Sequence, residues 1–346
     1  MTESQPLPPT HIRRHDDVPD ATARLERALL EVKRVVVGQD LLVERMFVSL
    51  VSGGHCLLEG VPGVAKTLAA RTVASVVGGA FSRIQFTPDL VPADIVGTRV
   101  YRSSSETFEV EPGPIVGNVV LADEINRAPA KVQSALLEAM AEHQVSVGGR
   151  TVRLPDPFMV LATQNPIESE GVYALPEAQR DRFMMKVSVD LPTDEEERRI
   201  LDRVGVSTPS VQTLLDPHEV AAIQAQAAGV FVHDAVADYA VRIVVATRDP
   251  RRPGVEDLAS LVSAGASPRA TLSLVAGARS LALLRGREYV LPVDVRDLAV
   301  DVVAHRLVLD FEALADGVDP RAIVAGLVAR IPEPQVAPAQ VAPGAA

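Results

Sequence analysis

The sequence predicts an α/β chain, with a five-stranded parallel sheet among helices followed by an all-helical domain. Three observations carry this. From about Asp20 to Leu191, short apolar runs alternate with helical patterns, as repeated βα units require. One of those runs, His55 to Leu58, empties into a glycine-rich turn and then a helix. Beyond Leu191 the short apolar runs stop, and the pattern stays helical to Ile331.

Met1 to about Pro19 is Pro-rich and polar and reads as a disordered tail (1–19). Asp20 is placed to cap a first helix whose Leu25, Leu29, Val32 and Val36 fall on one face. Strands are expected at His55–Leu58, Phe81–Phe86, Val119–Asp123, Phe158–Thr163 and Phe183–Val189, which sets the α/β core at 20–192. Thr193 to Glu196 forms a capping box opening an acidic helix, its charge favourable at that end. A connector helix and linker at 193–215 follow, with Gly205 to Leu215 as the link. The helical domain takes 216–331. Within it Ser267 caps a helix with Pro268 in the first turn, and Asp257–Val262 and Pro292–Leu309 carry amphipathic runs. Pro332 to Ala346 is a Pro/Ala tail without periodicity, read as disordered.

The 346 residues fit about two domains. Aromatics are 3% with no Trp, so the core is built from Ala, Val and Leu, which favours helix-rich packing. The net charge of -11 argues against nucleic acid as the main partner, because lysine and arginine supply most generic affinity for phosphates. A single cysteine, Cys56, excludes an internal disulfide and a cysteine metal cluster. The first residues lack the apolar core of a signal peptide, and no uncharged run reaches the ~20 residues of a bilayer span. A cytoplasmic location without direct membrane insertion is the expectation.

Gly60-Val61-Pro62-Gly63-Val64-Ala65-Lys66-Thr67 joins the His55–Glu59 strand to a helix from Thr67 to Val77. Strand, glycine turn and helix N-terminus turn backbone N–H groups toward a phosphate. Lys66 is placed to reach the β/γ-phosphates of ATP, and the Thr67 hydroxyl to ligate Mg²⁺. The last glycine of the usual pattern is Ala65 here, so the strict motif fails at one position. Val119 to Glu124 is an apolar strand ending in two carboxylates. Its Asp123 is placed to hold Mg²⁺ through water, and Glu124 to polarise the attacking water. A third strand ends in Thr163-Gln164-Asn165, where Asn165 can bond the water or the γ-phosphate; the same residue also suits a plain turn before Pro166.

Further segments occur in unbroken order: Gln85 to Gly97, Thr163 to Ile167, Leu175-Pro-Glu-Ala-Gln-Arg-Asp-Arg-Phe183 and Gly265-Ala-Ser-Pro-Arg269. With the loop and the acidic strand they resemble the MoxR-type AAA+ ATPases over about Val36 to Leu309. The resemblance implies a P-loop AAA+ core with a helical lid, and a loop site extending through Leu68. It further implies an arginine finger at Arg182, acting on ATP in the neighbouring subunit, and a second sensor at Arg269, reaching from the lid. Val37-Gly38-Gln39 resembles the segment that packs on adenine, Gln85 to Gly97 an insert in the second helix, and His143 to Leu154 a hairpin.

The function so implied is ATP hydrolysis coupled to remodelling, maturation or activation of client proteins. The assembly would be a homo-oligomeric, hexameric ring with a von Willebrand factor A domain partner. Two alternatives stay open: a nucleic-acid motor or loader, and a nucleotide-gated scaffold with little hydrolysis.

Overall fold

A computed structural model describes residues 17–166, 172–203, 210–249 and 254–335. Most of both tails, Ile167 and part of the linker lie outside the described residues. The strands are β1 (Cys56–Glu59), β2 (Phe81–Gln85), β3 (Gly97–Arg102), β4 (Thr107–Pro112), β5 (Val119–Asp123), β6 (Gln144–Val147), β7 (Arg150–Arg153), β8 (Met159–Gln164), β9 (Met185–Ser188), β10 (Val262–Ala264) and β11 (Val308–Leu309). Five of them form one parallel sheet in the order β2-β5-β8-β1-β9. These are the five strands expected from the sequence, with ends moved by one or two residues.

The central strands are apolar at every core position because both sheet faces are covered. Side chains alternate between the two faces. Cys56, Leu58, Leu121 and Leu161 join one cluster with the first helices and the helical domain. Leu57, Val120, Ala122, Val160 and Ala162 point into the second, beneath the helix Ala130–Glu142. The helical domain is also fixed to the core by a buried ion pair. Arg45 Nε, on the helix Asp40–Val51, lies 2.9 Å from Asp301 Oδ2 on the helix Pro292–Val303.

Four expectations need correction. The first helix spans Asp17–Val35, so it starts three residues before Asp20 and inside the stretch read as a tail. Strands do not end at Leu191, because β10 and β11 pair antiparallel in the helical domain. The Asp257–Val262 run is one helical turn, Glu256–Ala259, that gives way to β10. The Pro292–Leu309 run is helical to Val303, continues as a 3₁₀ turn to Arg306 and ends in β11. The β-branched Val262 and Val308 favour this pairing over another helical turn.

The insert after Gln85 comprises a short helix, Pro92–Val96, and the hairpin β3–β4. The second hairpin, β6–β7, falls where the resemblance implied one and turns at Gly148-Gly149. The Thr193 box forms as read, with the Thr193 N–H donating to Glu196 Oε2 at 2.8 Å. Ser267 caps the helix Pro268–Leu284 through the Arg269 N–H at 3.2 Å.

Candidate active site

The sheet register brings the carboxyl ends of four neighbouring strands together. Glu59 of β1 pairs with Gln164 of β8, and Gln85 of β2 with Asp123 of β5. Ligands of parallel α/β sheets bind at this end.

After Glu59 the chain turns through Gly60–Ala65 and enters the helix Lys66–Val76. Two glycines are required. Gly63 has φ +90°, and a Cβ on Gly60 would lie 2.4 Å from the Val189 carbonyl oxygen. Ala65 has φ +61°, the left-handed conformation for which glycine is the usual choice. The loop therefore keeps its shape at a cost of about 1–2 kcal/mol of backbone strain. No side chain caps the helix that follows, which leaves its first-turn N–H groups suited to an anion. Lys66 Nζ donates to the Gly60 carbonyl at 2.5 Å. Burial pushes the Lys66 ammonium below its ordinary pKa, and the charges of Asp123, Glu124 and Glu59 oppose that shift.

Asp123 ends β5 with both oxygens engaged. Oδ1 accepts from the Thr163 hydroxyl at 2.6 Å, and Oδ2 accepts from Arg83 Nη2 at 2.7 Å and Nε at 3.1 Å. At Glu124 the backbone turns left-handed, φ 58°, which ends the strand. Its N–H donates to Thr163 Oγ1 at 2.8 Å. Glu124 Oε2 accepts from Gln85 Nε2 at 2.8 Å and lies 3.2 Å from Arg127 Nε. Thr163 thus orients both acids, accepting from one and donating to the other.

These groups surround a cleft of about 370 Å³. Of the residues singled out in the sequence, Pro62, Gly63, Ala65, Lys66, Thr67, Leu68, Asp123, Glu124 and Asn165 line it. Asn165 is buried at the end of β8. Gly60 shapes the loop from behind, while Val64 and Val61 pack on the apolar core.

Four residues lie elsewhere. Gly38, φ +74°, packs against the Glu196 side chain, and Gln39 Nε2 donates to the Asp190 carbonyl at 3.1 Å. Arg182 Nη1 donates to the Leu137 carbonyl at 2.5 Å and borders a separate groove with His55, His143 and Met184. Arg269 is 61% exposed and 3.7 Å from Asp181. Sequence reading missed Arg83, Gln85 and Thr163 as site residues. The signal for the first two was weak: polar residues at alternate positions of one expected strand.

A lysine-bearing glycine loop beside a strand that ends in paired acids, in a core followed by a helical domain, defines an AAA+ type nucleotide-binding ATPase core. Comparison with known proteins agrees. Residues 55–185 match the ATPase family associated with various cellular activities (AAA), and residues 257–327 match the AAA lid domain. The chain is 60% identical over 312 residues to Chaperone MoxR1 of Mycobacterium tuberculosis, covering 90% of this chain and 83% of that protein. It is 36% identical to Protein MoxR of Methylorubrum extorquens, covering 84% and 88%. A Cytophaga hutchinsonii crystal structure superposes with a TM-score of 0.87 at 42% identity, covering 92% of this chain and 98% of that one. The chain belongs to the MoxR-type family of AAA+ ATPases.

Proposed function

We propose that the protein binds ATP with Mg²⁺ in this cleft, hydrolyses it, and uses the cycle to remodel, mature or activate client proteins. The observation that carries the reading is the convergence of Lys66, Thr67, Asp123 and Glu124 on one cleft at the carboxyl end of the sheet. The Gly60–Leu68 loop cradles the phosphates, with Lys66 at the β/γ position. Gly38 and Gln39 border the adenine.

Among the described residues no group of three or more His, Cys, Asp or Glu side chains could hold a metal by itself. The available donors, the Thr67 hydroxyl and Asp123, are oxygens of the kind that suit Mg²⁺ completed by phosphate and water. Mg²⁺ held there would neutralise phosphate charge. Asp123 keeps Thr163 and Arg83 as partners, so contact through water fits it better than direct ligation. Glu124 orients and activates the attacking water, and Asn165 bonds that water or the γ-phosphate. Arg269 acts on the phosphates of its own subunit and Arg182 on those of the next.

In this reading the core occupies 20–192, extended back to Asp17 by the first helix, the linker 193–215 and the lid 216–331. The protein works in the cytoplasm as a hexameric ring with a von Willebrand factor A domain partner. No helix among the described residues is long and apolar enough to cross a membrane. Steady-state ATPase measurements on the pure protein, with and without DNA, test the reading. Hydrolysis indifferent to DNA is expected. Hydrolysis dependent on DNA would favour a nucleic-acid motor, and binding without turnover a nucleotide-gated scaffold.

A further inference from the structure

Arg182 lies in a short turn that the lid grips on both sides. Just before it, the Asp181 carboxylate receives three lid side chains. Arg306 Nε donates to Oδ1 at 2.8 Å, and the Ser267 hydroxyl lies 2.9 and 3.1 Å from the two oxygens. Arg269 Nη1 stands 3.7 Å from Oδ2. Just after it, the Phe183 carbonyl accepts from Arg306 Nη2 at 2.7 Å, and the Met184 carbonyl from Nη1 at 3.1 Å. His305 Nε2 lies 3.2 Å from the same Phe183 carbonyl.

The Arg306 side chain is 2% exposed, so this is a buried clamp and not a loose surface pair. A buried guanidinium is stable only while its charge and donors are matched, which makes breaking the clamp costly. A turn held this way moves with the body that holds it, and that body is the lid. Arg269 is the exposed member of the cluster and one residue from the start of the lid helix Pro268–Leu284. It shares one carboxylate with Arg306.

We propose that Asp181 is a positioning residue that couples the lid to the arginine finger. These contacts lock the turn 181–184 to the lid in one position. The finger offered to the next subunit then moves with the lid of its own subunit. This rests on the in-trans role of Arg182 proposed above.

The test uses co-assembled rings of two full-length variants. Lys66→Ala subunits supply fingers without working pockets, and Arg182→Ala subunits supply pockets without fingers. Asp181→Asn added to the Lys66→Ala subunit should lower kcat of the mixture about tenfold or more, since small misplacements of a reacting group are that costly. KM for ATP should stay within about twofold, because the working pockets are untouched. Asp181→Asn added instead to the Arg182→Ala subunit should leave kcat within about twofold.

Equal losses in both placements, or no loss in either, would overturn the coupling. An inactive parent mixture would refute the in-trans role of Arg182, and the coupling with it. Should Asp181→Asn fail to fold, Ser267→Ala in the Lys66→Ala subunit removes the hydroxyl bond to Asp181, along with the cap on the Arg269 N–H, and spares the Arg306 pair. It should lower kcat about threefold to tenfold, the worth of one ordinary hydrogen bond. An unchanged kcat would overturn the proposal.

Discussion

The Gln85 side-chain amide donates to Glu124 Oε2 at 2.8 Å. That bond ties the end of edge strand β2 to the residue that follows Asp123 at the end of β5. Gln85 also begins the segment that leads through the helix Pro92–Val96 into the β3–β4 hairpin. The candidate base is therefore in direct contact with the start of the insert.

Gln85→Ala removes one of the donors on Glu124 and leaves Arg127 beside it. A donor on a carboxylate opposes its taking a proton from water. Basal hydrolysis should rise by a few-fold, with ATP affinity unchanged. Steady-state turnover and calorimetric titration check this, and an equal or lower rate would show that Gln85 exerts no restraint.

Ala65→Gly restores a residue that adopts φ +61° without strain. Relief of about 1–2 kcal/mol is partly offset by the added freedom of glycine in the unfolded chain. A net gain of about 0.5–1 kcal/mol should raise the melting temperature by about 1–3 °C. A fall on calorimetry would mean that Ala65 makes contacts worth more than its strain.

Much of the site was legible because its residues are local in sequence. The glycines and Lys66 act within eight positions, and an apolar run that stops at Asp123-Glu124 is visible without a fold. Arg83, Gln85 and Thr163 were hidden because they act across strands, through register that no single segment encodes. The β3–β4 hairpin was missed for a related reason. Only Gly97, Val100 and Val110 are half-buried among exposed residues such as Thr98, Arg102, Glu109 and Glu111, and the two valines lie on opposite faces, so no period of two shows. The short pair β10–β11 is set by tertiary pairing, too brief to outweigh the helical patterns around it.

His55 adds a pH dependence. Its Nδ1 accepts from the Val160 N–H at 3.0 Å and Nε2 faces the Met140 carbonyl at 3.2 Å, an arrangement that fixes the neutral ring. Burial pushes its pKa down to about 4, from an ordinary value of 6.5. His305 is lowered in the same direction, again chiefly by burial. The unfolded chain binds these protons more readily, so the stabilisation is complete above about pH 6.5 and is lost as pH falls toward 4. His55 alone contributes on the order of 3 kcal/mol across that window. Denaturant unfolding from pH 7.5 to 4.5 should show falling stability with a smaller slope in His55→Gln. Identical slopes would remove His55 from the account.

Arg182 should matter through assembly. Arginine fingers accelerate phosphoryl transfer by about 10³–10⁵. If this one is supplied in trans, specific activity should rise with protein concentration as rings form. Arg182→Ala should bind ATP and turn it over very slowly. Full activity in a strictly monomeric preparation would end the role.

The central claim is that the cleft between the Gly60–Leu68 loop and the end of β5 hydrolyses ATP with Glu124 as the activating carboxylate. Glu124→Gln keeps the shape and hydrogen bonding of the side chain and removes its basic charge. Calorimetric affinity and steady-state turnover measured on this variant test the claim most directly. The account predicts ATP binding within about threefold of the unsubstituted protein and turnover reduced by about 10²–10⁴. Turnover at the unsubstituted rate would contradict it.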